Sequence, residues 1–267
     1  RSFARYLTRQ EFDVHILDWG NVSADSDIQD IDDLLTKRLV PAVQDLAQKT
    51  GQKVVTMGYC MGGLLMAGAI PFMHDHVARA VYLATPWDFH ADTPRLTTLV
   101  QGWVPSVALL MNTTSVLPNA QMQALFALID PDMAAQKFAR FGTMQADDPE
   151  YQTFIAVEDW LRSGRDLPAR LAYACLQDWY VRNKTGQGTW RVAGARIGPS
   201  SLRRVPSVVV VPTRDRLVEP QTAHALFDMI GPSHATCITP DIGHIGMMSS
   251  ARAESLVWDR VVAEMEK

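Results

Sequence analysis

The amino-acid sequence predicts an α/β fold with a mostly parallel, doubly wound sheet. Short apolar runs rich in β-branched residues alternate with amphipathic helical segments, which is typical of a parallel sheet covered by helices on both faces. Of the 267 residues, 47% are hydrophobic and 20% are charged, as in globular proteins with a sizeable core. The alternation stops between the third and fourth apolar runs, which predicts a long insertion into the sheet.

Five runs are predicted to be strands, and the periodic segments between and around them are predicted to be helices. The predicted strands are 14–17, 54–57, 80–84, 208–211 and 236–239. The predicted helices are the first ten residues, 28–49, 121–127, 171–180, 221–230 and 250–267. Because the chain opens directly on a helical pattern, we expect N-terminal strands of the sheet to be missing and the chain to be a fragment or a processed form.

The insertion is predicted to be a helical cap that spans residues 90–204. The core of the fold then consists of residues 1–89 and 205–267. Ligands of parallel α/β sheets bind beyond the carboxyl ends of the strands, where this insertion emerges. The last part of the cap, 185–204, is rich in Gly, Ser and Arg and is predicted to be an exposed loop.

A cysteine lies between Gly58 and Gly62, in a segment where many hydrolases have a serine. A buried strand pattern precedes it and an apolar helical pattern follows, which predicts a nucleophile elbow with Cys60 at its exposed turn. We expect Gly58 and Gly62 to be required because the turn brings two backbones too close for a Cβ. The free N–H groups of the following helix would stabilise a thiolate. The alternative is a buried structural cysteine, which is what we expect of Cys175 and Cys237.

A thiol nucleophile needs a base, and the base needs an acid that orients it. His244 follows the last predicted strand and is the predicted base. Asp215 follows the strand at 208–211 and is the predicted acid. Asp88, at the end of the preceding strand, is the alternative acid. Asp241 is expected to shape the turn before the histidine by binding backbone N–H groups.

The backbone N–H of Met61, directly after the proposed nucleophile, is the predicted oxyanion donor. The second donor in such a fold comes from an upstream loop, which here would precede Arg1. No metal site is predicted, because His74, Asp75 and His76 have no further His or Cys to complete one. No bound cofactor is expected, and the chain has no Gly-rich phosphate loop.

With these residues in place, the sequence resembles the polyhydroxyalkanoate synthases, cysteine-dependent members of the α/β-hydrolase fold. The resemblance extends over nearly the whole chain, and the tyrosine and cysteine together in the elbow are its most specific feature. Its motifs are Arg1-Ser2 with the following helix, Asp18-Trp19-Gly20, Gly58-Tyr59-Cys60-Met61-Gly62-Gly63, Asp215 with Leu217-Val218, and Gly243-His244-Ile245. The spacing from Cys60 to Asp215 and on to His244 is also similar to that of the family.

The resemblance implies an acyltransferase that takes a 3-hydroxyacyl group from coenzyme A as a thioester on Cys60 and passes it to a growing polyester. His244 would activate the thiol or the substrate hydroxyl, and Asp215 would orient His244. The CoA thioester is then a substrate and not a cofactor. The sequence differs from the family pattern at two places, which leaves other functions open. Arg216 occupies the position where the family has a histidine, and residues 246–250 differ from the family's Ala/Gly/Val-rich stretch. The alternatives are a thioester or polyester hydrolase with the same triad, and a non-catalytic granule-associated protein.

Charge, hydropathy and cysteine count limit the partners and the compartment. The net charge of −4 argues against a nucleic-acid binder, and no apolar run reaches the ~18 residues of a transmembrane helix. The chain has three cysteines, an odd number that does not suggest a disulfide framework, and this favours a reducing compartment. We expect a cytoplasmic protein, at the polymer granule surface if the resemblance holds. Its expected partners are 3-hydroxyacyl-CoA, the polyester chain or granule, and a second copy of the chain or an accessory synthase subunit.

Overall fold

A computed structural model describes residues 2–20, 27–91, 95–129 and 131–267, so that Arg1 of the predicted resemblance lies outside the described residues. The strands in chain order are β1 (Val54–Tyr59), β2 (Val77–Leu83), β3 (Val116–Leu117), β4 (Leu167–Pro168), β5 (Arg191–Val192), β6 (Ala195–Arg196), β7 (Ser207–Val210) and β8 (Ala235–Ile238). Strands β1, β2, β7 and β8 form a parallel sheet in that spatial order. This sheet confirms the four predicted strands from residue 54 onward.

Helices surround the sheet and fill the predicted insertion. They are α1 (Phe3–Arg9), α2 (Ile31–Leu34), α3 (Val40–Thr50), α4 (Met61–Met73), α5 (Arg95–Thr114), α6 (Asn119–Ile129), α7 (Pro131–Phe141), α8 (Pro149–Arg162), α9 (Ala169–Ala174), α10 (Pro199–Leu202), α11 (Pro220–Ile230), α12 (Gly246–Ser249) and α13 (Asp259–Met265). Segments with π-helical bonding join α2 to α3 (Leu35–Leu39), extend α9 (Cys175–Val181) and precede α13 (Glu254–Trp258), and a 3₁₀ turn (His74–His76) follows α4. Among the described residues, none of these helices combines the length and apolarity needed to cross a membrane.

The sheet is covered on both faces, which confirms the doubly wound α/β class. Successive residues of a strand point to opposite faces, and Tyr82 of β2 accordingly joins one apolar cluster while Val81 and Leu83 join another. Helices α2, α3, α4 and α11 supply the first cluster, and α1, α12 and α13 supply the second. Because both faces are buried, the strands are mostly apolar and do not alternate strictly between apolar and polar residues.

The residues between β2 and β7 are mainly helical, as predicted for the insertion. Helices α5, α6 and α9 enclose an apolar cluster of their own. Its buried members are Leu96, Val100, Val104, Val107, Met111, Leu117, Leu125, Ala172 and Leu176. The limits of a separate cap at residues 90 and 204 remain a prediction.

The predicted strand at 14–17 is wrong. These residues form no strand, and Ile16 is 80% exposed. Within the described ranges the only strand beside β1 is β2, so the segment has no ladder partner. An apolar pattern alone cannot form a strand, because the backbone N–H and C=O groups need a neighbouring strand to bind.

The prediction of an exposed loop at 185–204 is only partly right, because many of its residues are exposed but others anchor it to the core. The segment is anchored by buried side chains, namely Thr185, Trp190, Val192 and Ile197. Strands β5 and β6 form a hairpin that turns at Ala193 and Gly194, whose φ angles are 43° and 82°. The hairpin lies on α4 at Gly68, where an added Cβ would come within 2.8 Å of the Trp190 ring. The Gly-rich composition therefore marks a turn, while the apolar residues around it pack on the core.

Candidate active site

Cys60 lies in a sharp turn between β1 and α4. Its backbone has φ 53° and ψ −123°, a conformation that a non-glycine residue adopts only under strain. The Cys60 N–H donates to the Leu83 carbonyl at 2.9 Å, and the Cys60 carbonyl accepts from the Gly63 N–H at 3.0 Å. The turn is thus held by β2 on one side and by the first turn of α4 on the other. Cys60 is the N-cap residue of that helix, and its partly exposed side chain makes no capping hydrogen bond.

Two glycines permit this turn, and only one of them was expected. An added Cβ on Gly58 would lie 2.6 Å from the Gly62 carbonyl oxygen, so that glycine is required there. At Gly62 a Cβ would meet nothing within 4 Å, which makes the expectation for that residue wrong. The close approach comes one residue later, at Gly63, where a Cβ would lie 1.8 Å from Oγ1 of the buried Thr85. The end of β2 is therefore what crowds the start of α4.

Met61 is the first residue of α4. The N–H groups of a first helical turn have no acceptor within their own helix and can bind an anion. The predicted role of Met61 as an oxyanion donor is compatible with this position and remains a prediction.

Asp215 and His244 are brought together at the carboxyl end of the sheet. Nδ1 of His244 lies 2.6 Å from Oδ2 of Asp215, and the Asp215 side chain is fully buried. The other carboxylate oxygen, Oδ1, accepts from the backbone N–H groups of Leu217 and Val218 at 2.9 and 2.8 Å. With both oxygens bound, Asp215 has one orientation in which to hold the imidazole.

The surroundings of His244 favour its protonated form. Burial alone would lower the pKa of His244, but hydrogen bonds to Asp215 and to Cys60, together with their negative charges, raise it to about 9. The ring is thus bonded to the proposed acid, and its pKa also responds to the proposed nucleophile. At neutral pH the raised pKa favours the imidazolium form of His244, the form that the histidine of a thiolate–imidazolium pair takes.

The other two aspartates considered from the sequence, Asp88 and Asp241, form hydrogen bonds with groups other than His244. Oδ1 of Asp88 accepts from Asn183 Nδ2 at 2.7 Å and from the His90 N–H at 2.9 Å, which ties the end of β2 to the insertion. Asp241 forms a bidentate pair with Arg214, in which Arg214 Nη2 donates to Oδ2 at 2.6 Å. The expectation that Asp241 binds backbone N–H groups is wrong, because the guanidinium of Arg214 takes both its oxygens.

Two tyrosines, Tyr59 and Tyr180, were assigned no role in the site from the sequence. The Tyr59 hydroxyl donates to the His244 carbonyl at 3.2 Å, and the two rings lie 4.8 Å apart between centroids. This contact joins residues 185 positions apart, and no local pattern signals it. Tyr180, in the insertion, packs edge-on against Phe89 at 4.6 Å. Cys60 and Tyr180 both pack against the same apolar cluster, and burial and then the negative charge of Cys60 raise the pKa of Tyr180.

Within the described ranges, His, Cys, Asp and Glu form no cluster of three or more that could hold a metal ion. The groups that converge are a thiol, an imidazole and a carboxylate, and this set is suited to nucleophilic acyl transfer.

Sequence comparison places the chain among known proteins. Residues 1–256 match the profile described as Alpha/beta hydrolase family. The poly(3-hydroxyalkanoate) polymerase subunit PhaC of Haloferax mediterranei is 25% identical over 263 residues, which cover 98% of this chain and 53% of that protein. The protein of the same name from Allochromatium vinosum is 24% identical over 261 residues, with 96% and 72% covered. These distant relatives confirm the predicted resemblance, although the chain spans only about half the length of the Haloferax protein.

Solved structures agree on the fold. A structure described under LipS and LipT, two metagenome-derived lipolytic enzymes, has a TM-score of 0.54 at 13% identity, with 99% of this chain and 86% of that one covered. The hydrolase olei00960 from Oleispira antarctica has a TM-score of 0.52 at 11% identity, with 99% and 85% covered. At such identities the likeness concerns the fold alone. With its doubly wound parallel sheet and a family profile that matches nearly its whole length, the chain belongs to the alpha/beta hydrolase family.

Proposed function

We propose that this chain is a cysteine-dependent acyltransferase similar to the polyhydroxyalkanoate synthases, with Cys60 as nucleophile, His244 as acid and base, and Asp215 as the residue that orients His244. The observation that carries the proposal is the convergence of a strained cysteine at a helix N-terminus with a histidine held by a buried carboxylate. The relatives named poly(3-hydroxyalkanoate) polymerase subunit PhaC suggest the substrate class. The proposed substrate is a 3-hydroxyacyl-CoA.

In the first step, the Cys60 thiolate attacks the carbonyl carbon of the CoA thioester. The carbonyl oxygen becomes an oxyanion that the Met61 N–H would bind. When the intermediate collapses, the bond to the CoA sulfur breaks and the acyl group stays on Cys60. The departing CoA thiolate takes its proton from the His244 imidazolium, so that a thiol leaves and the imidazole becomes neutral.

The second step requires the same histidine to act as a base. Part of what raises the pKa of His244 is the hydrogen bond and negative charge of Cys60. Both are lost once Cys60 carries the acyl group, and the pKa of His244 falls accordingly. The neutral imidazole then takes the proton of an incoming 3-hydroxyl group, whose oxygen attacks the carbonyl carbon of the Cys60 thioester. The bond between that carbon and the Cys60 sulfur breaks, Cys60 leaves as the thiolate beside the imidazolium, and the ester formed with the incoming hydroxyl lengthens the polyester by one unit. Acylation itself thus switches His244 from acid to base.

The acceptor in the second step decides between polymerisation and hydrolysis. We propose that the insertion covers the site on one side, because its Tyr180 packs on Phe89 and against the apolar cluster that Cys60 also contacts. Restricted access of water would favour a hydroxyacyl acceptor over hydrolysis. A polyester product would remain at the enzyme, and we propose a cytoplasmic protein at the granule surface. As the relatives are named subunits, a second copy of the chain or an accessory subunit is the proposed protein partner.

The test is incubation with 3-hydroxybutyryl-CoA followed by analysis of products and of the protein mass. The proposal expects CoA release, an acyl adduct on Cys60 and polymer, with all three lost in Cys60→Ala. The matched control is Cys237→Ala, a half-buried thiol on β8 that should retain activity. Free 3-hydroxybutyrate in place of polymer, with the Cys60 adduct present, would identify the hydrolase alternative. Absence of any adduct, also with a purified accessory subunit, would favour the non-catalytic alternative and overturn the proposal.

A further inference from the structure

We propose that Tyr59 is a positioning residue for His244, which it holds through a hydrogen bond to the His244 carbonyl and through contact between the two rings. The inference rests on the proposed function, because it concerns the histidine of the same triad. It adds a fourth residue, supplied by the position directly before the nucleophile.

Two contacts of different kinds join the tyrosine to the histidine. The Tyr59 hydroxyl donates to the His244 backbone carbonyl at 3.2 Å. The rings lie 4.8 Å apart between centroids with their planes 33° from parallel, which is close enough for van der Waals contact over much of the imidazole. The first contact fixes the loop that carries His244, and the second limits the tilt of its ring.

Such a clamp is needed because Asp215 holds the imidazole at one atom only. The hydrogen bond from Nδ1 to Asp215 fixes one nitrogen and leaves the ring able to pivot about it. Pivoting would move Nε2 relative to the Cys60 sulfur, and small misplacements of reacting groups are costly in rate. Tyr59 packs in the same apolar cluster as Ile242 and Met247, which flank His244 on both sides. The tyrosine therefore contacts the histidine loop and the ring together.

Because Tyr59 directly precedes Cys60 in the chain, its contact with His244 also links the histidine to the nucleophile. It is the last residue of β1, and Cys60 follows it at the strained turn. A residue covalently bonded to the nucleophile thus touches the base, which sets the distance between thiol and imidazole. Burial, and then the negative charges of Cys60 and Asp215, raise the pKa of Tyr59 well above its usual value. The hydroxyl consequently stays a donor throughout the pH range in which the histidine titrates.

The test compares two tyrosine-to-phenylalanine substitutions. Tyr59→Phe keeps the ring and removes the hydroxyl that binds the His244 carbonyl. The control is Tyr82→Phe, on the neighbouring strand β2 in register with Gly58. Tyr82 is fully buried, and its hydroxyl has no hydrogen-bond partner among the described residues. Each substitution removes a buried hydroxyl from the sheet, but only the first removes a contact to His244.

The readouts are the titration of the His244 imidazole by NMR, the pH profile of acyl transfer, kcat and KM, and the thermal unfolding midpoint. We expect Tyr59→Phe to lower the pKa of His244, because looser contacts to Asp215 and Cys60 stabilise the imidazolium less. The alkaline limb of the pH–rate profile for acylation should then move to lower pH. We also expect kcat to fall ~10-fold at unchanged KM, the scale of a lost hydrogen bond that positions a catalytic group. Tyr82→Phe should leave all of these at wild-type values.

Two results would overturn the inference. One is a Tyr59→Phe protein in which His244 titrates as in the wild type, whatever happens to the unfolding midpoint. The other is an equal shift of the His244 pKa in both variants, which would indicate a general effect of losing a buried hydroxyl. The NMR titration needs no substrate. If acyl-CoA proves not to be the substrate, the titration still decides the role of Tyr59, and the two failures can be told apart.

Discussion

At the scale of single residues, the three thiols of the chain have unequal surroundings. Burial, and then the negative charge of Asp178, raise the pKa of Cys175 to about 12, and burial also raises the pKa of Cys237. Both are therefore thiols at neutral pH, whereas Cys60 lies beside the His244 imidazolium. We expect iodoacetamide at pH 7 to alkylate Cys60 first, as followed by peptide mass spectrometry over time. Equal rates at the three thiols would contradict the assignment of Cys60 as nucleophile.

A second residue-scale prediction concerns Asp215. In Asp215→Asn the amide oxygen can still accept from the backbone N–H groups, but the negative charge beside His244 is gone. Since that carboxylate is one of the two groups that raise the pKa of His244, against the effect of burial, from its ordinary value of 6.5 to about 9, the pKa should fall in the variant. The alkaline limb of the pH–rate profile then moves to lower pH, and kcat drops by roughly 10²–10⁴.

Asp88→Asn is the control for this substitution. It removes a carboxylate that binds Asn183 and the His90 N–H instead of the histidine. In this variant the alkaline limb of the pH–rate profile and the pKa of His244 should be the same as in the wild type. A larger loss of kcat in Asp88→Asn than in Asp215→Asn would show that the acid of the triad has been misassigned.

At the scale of elements, the elbow between β1 and α4 depends on close contact with the end of β2. An alanine at Gly63 would drive its Cβ into Thr85, and an alanine at Gly62 would point into open space. We expect Gly63→Ala to lower the free energy of unfolding by about 1–3 kcal/mol, the usual cost of overpacking. Gly62→Ala should be neutral or stabilising by up to ~1 kcal/mol, because alanine is the better helix former.

Urea unfolding curves of these two variants give the comparison. An unchanged Gly63→Ala protein would mean that Thr85 can move away and that β2 does not constrain the elbow. A destabilised Gly62→Ala protein would mean that the open space at this position is taken up by another part of the fold.

Local elements were predictable from the sequence, and contacts between distant elements were not. The elbow at Cys60 is a strand, a turn and a helix within about twenty residues, so its pattern can be recognised in the local sequence. Asp215 and His244 could be found because each lies in the loop that follows a predicted strand. Tyr59 and Gly63 owe their roles to partners far along the chain, and hydrophobic periodicity carries no information about such partners. The prediction of a strand at 14–17 was wrong for the same reason. A strand requires a neighbouring strand, and the local pattern does not show whether one is present.

At the scale of the whole molecule, His244 couples folding to pH. Its pKa in the folded chain, about 9, lies above its ordinary value of 6.5. A group whose pKa is raised by folding contributes stability that is fully present below its unfolded pKa and is lost as the pH rises through its folded pKa. His244→Gln should thus cost most at pH 6, at most ~3 kcal/mol, and progressively less towards pH 10. Urea unfolding of both proteins at pH 6, 8 and 10 measures this difference, and a cost that is constant across the range would contradict it.

The alignment of the strand ends also has a consequence for the order of events in folding. Tyr59, Leu83, Val210 and Ile238 form one row of paired residues across the sheet, and the three proposed catalytic residues follow shortly after the strands in that row. A slip of one residue would displace a strand end by ~3.3 Å and turn its side chains to the other face. The elbow helix can form early from local contacts, whereas the row needs strands from distant parts of the chain and forms late. Pulse alkylation during refolding should therefore find Cys60 acquiring its native reactivity only when the last strand joins, well after the helical signal of circular dichroism has returned.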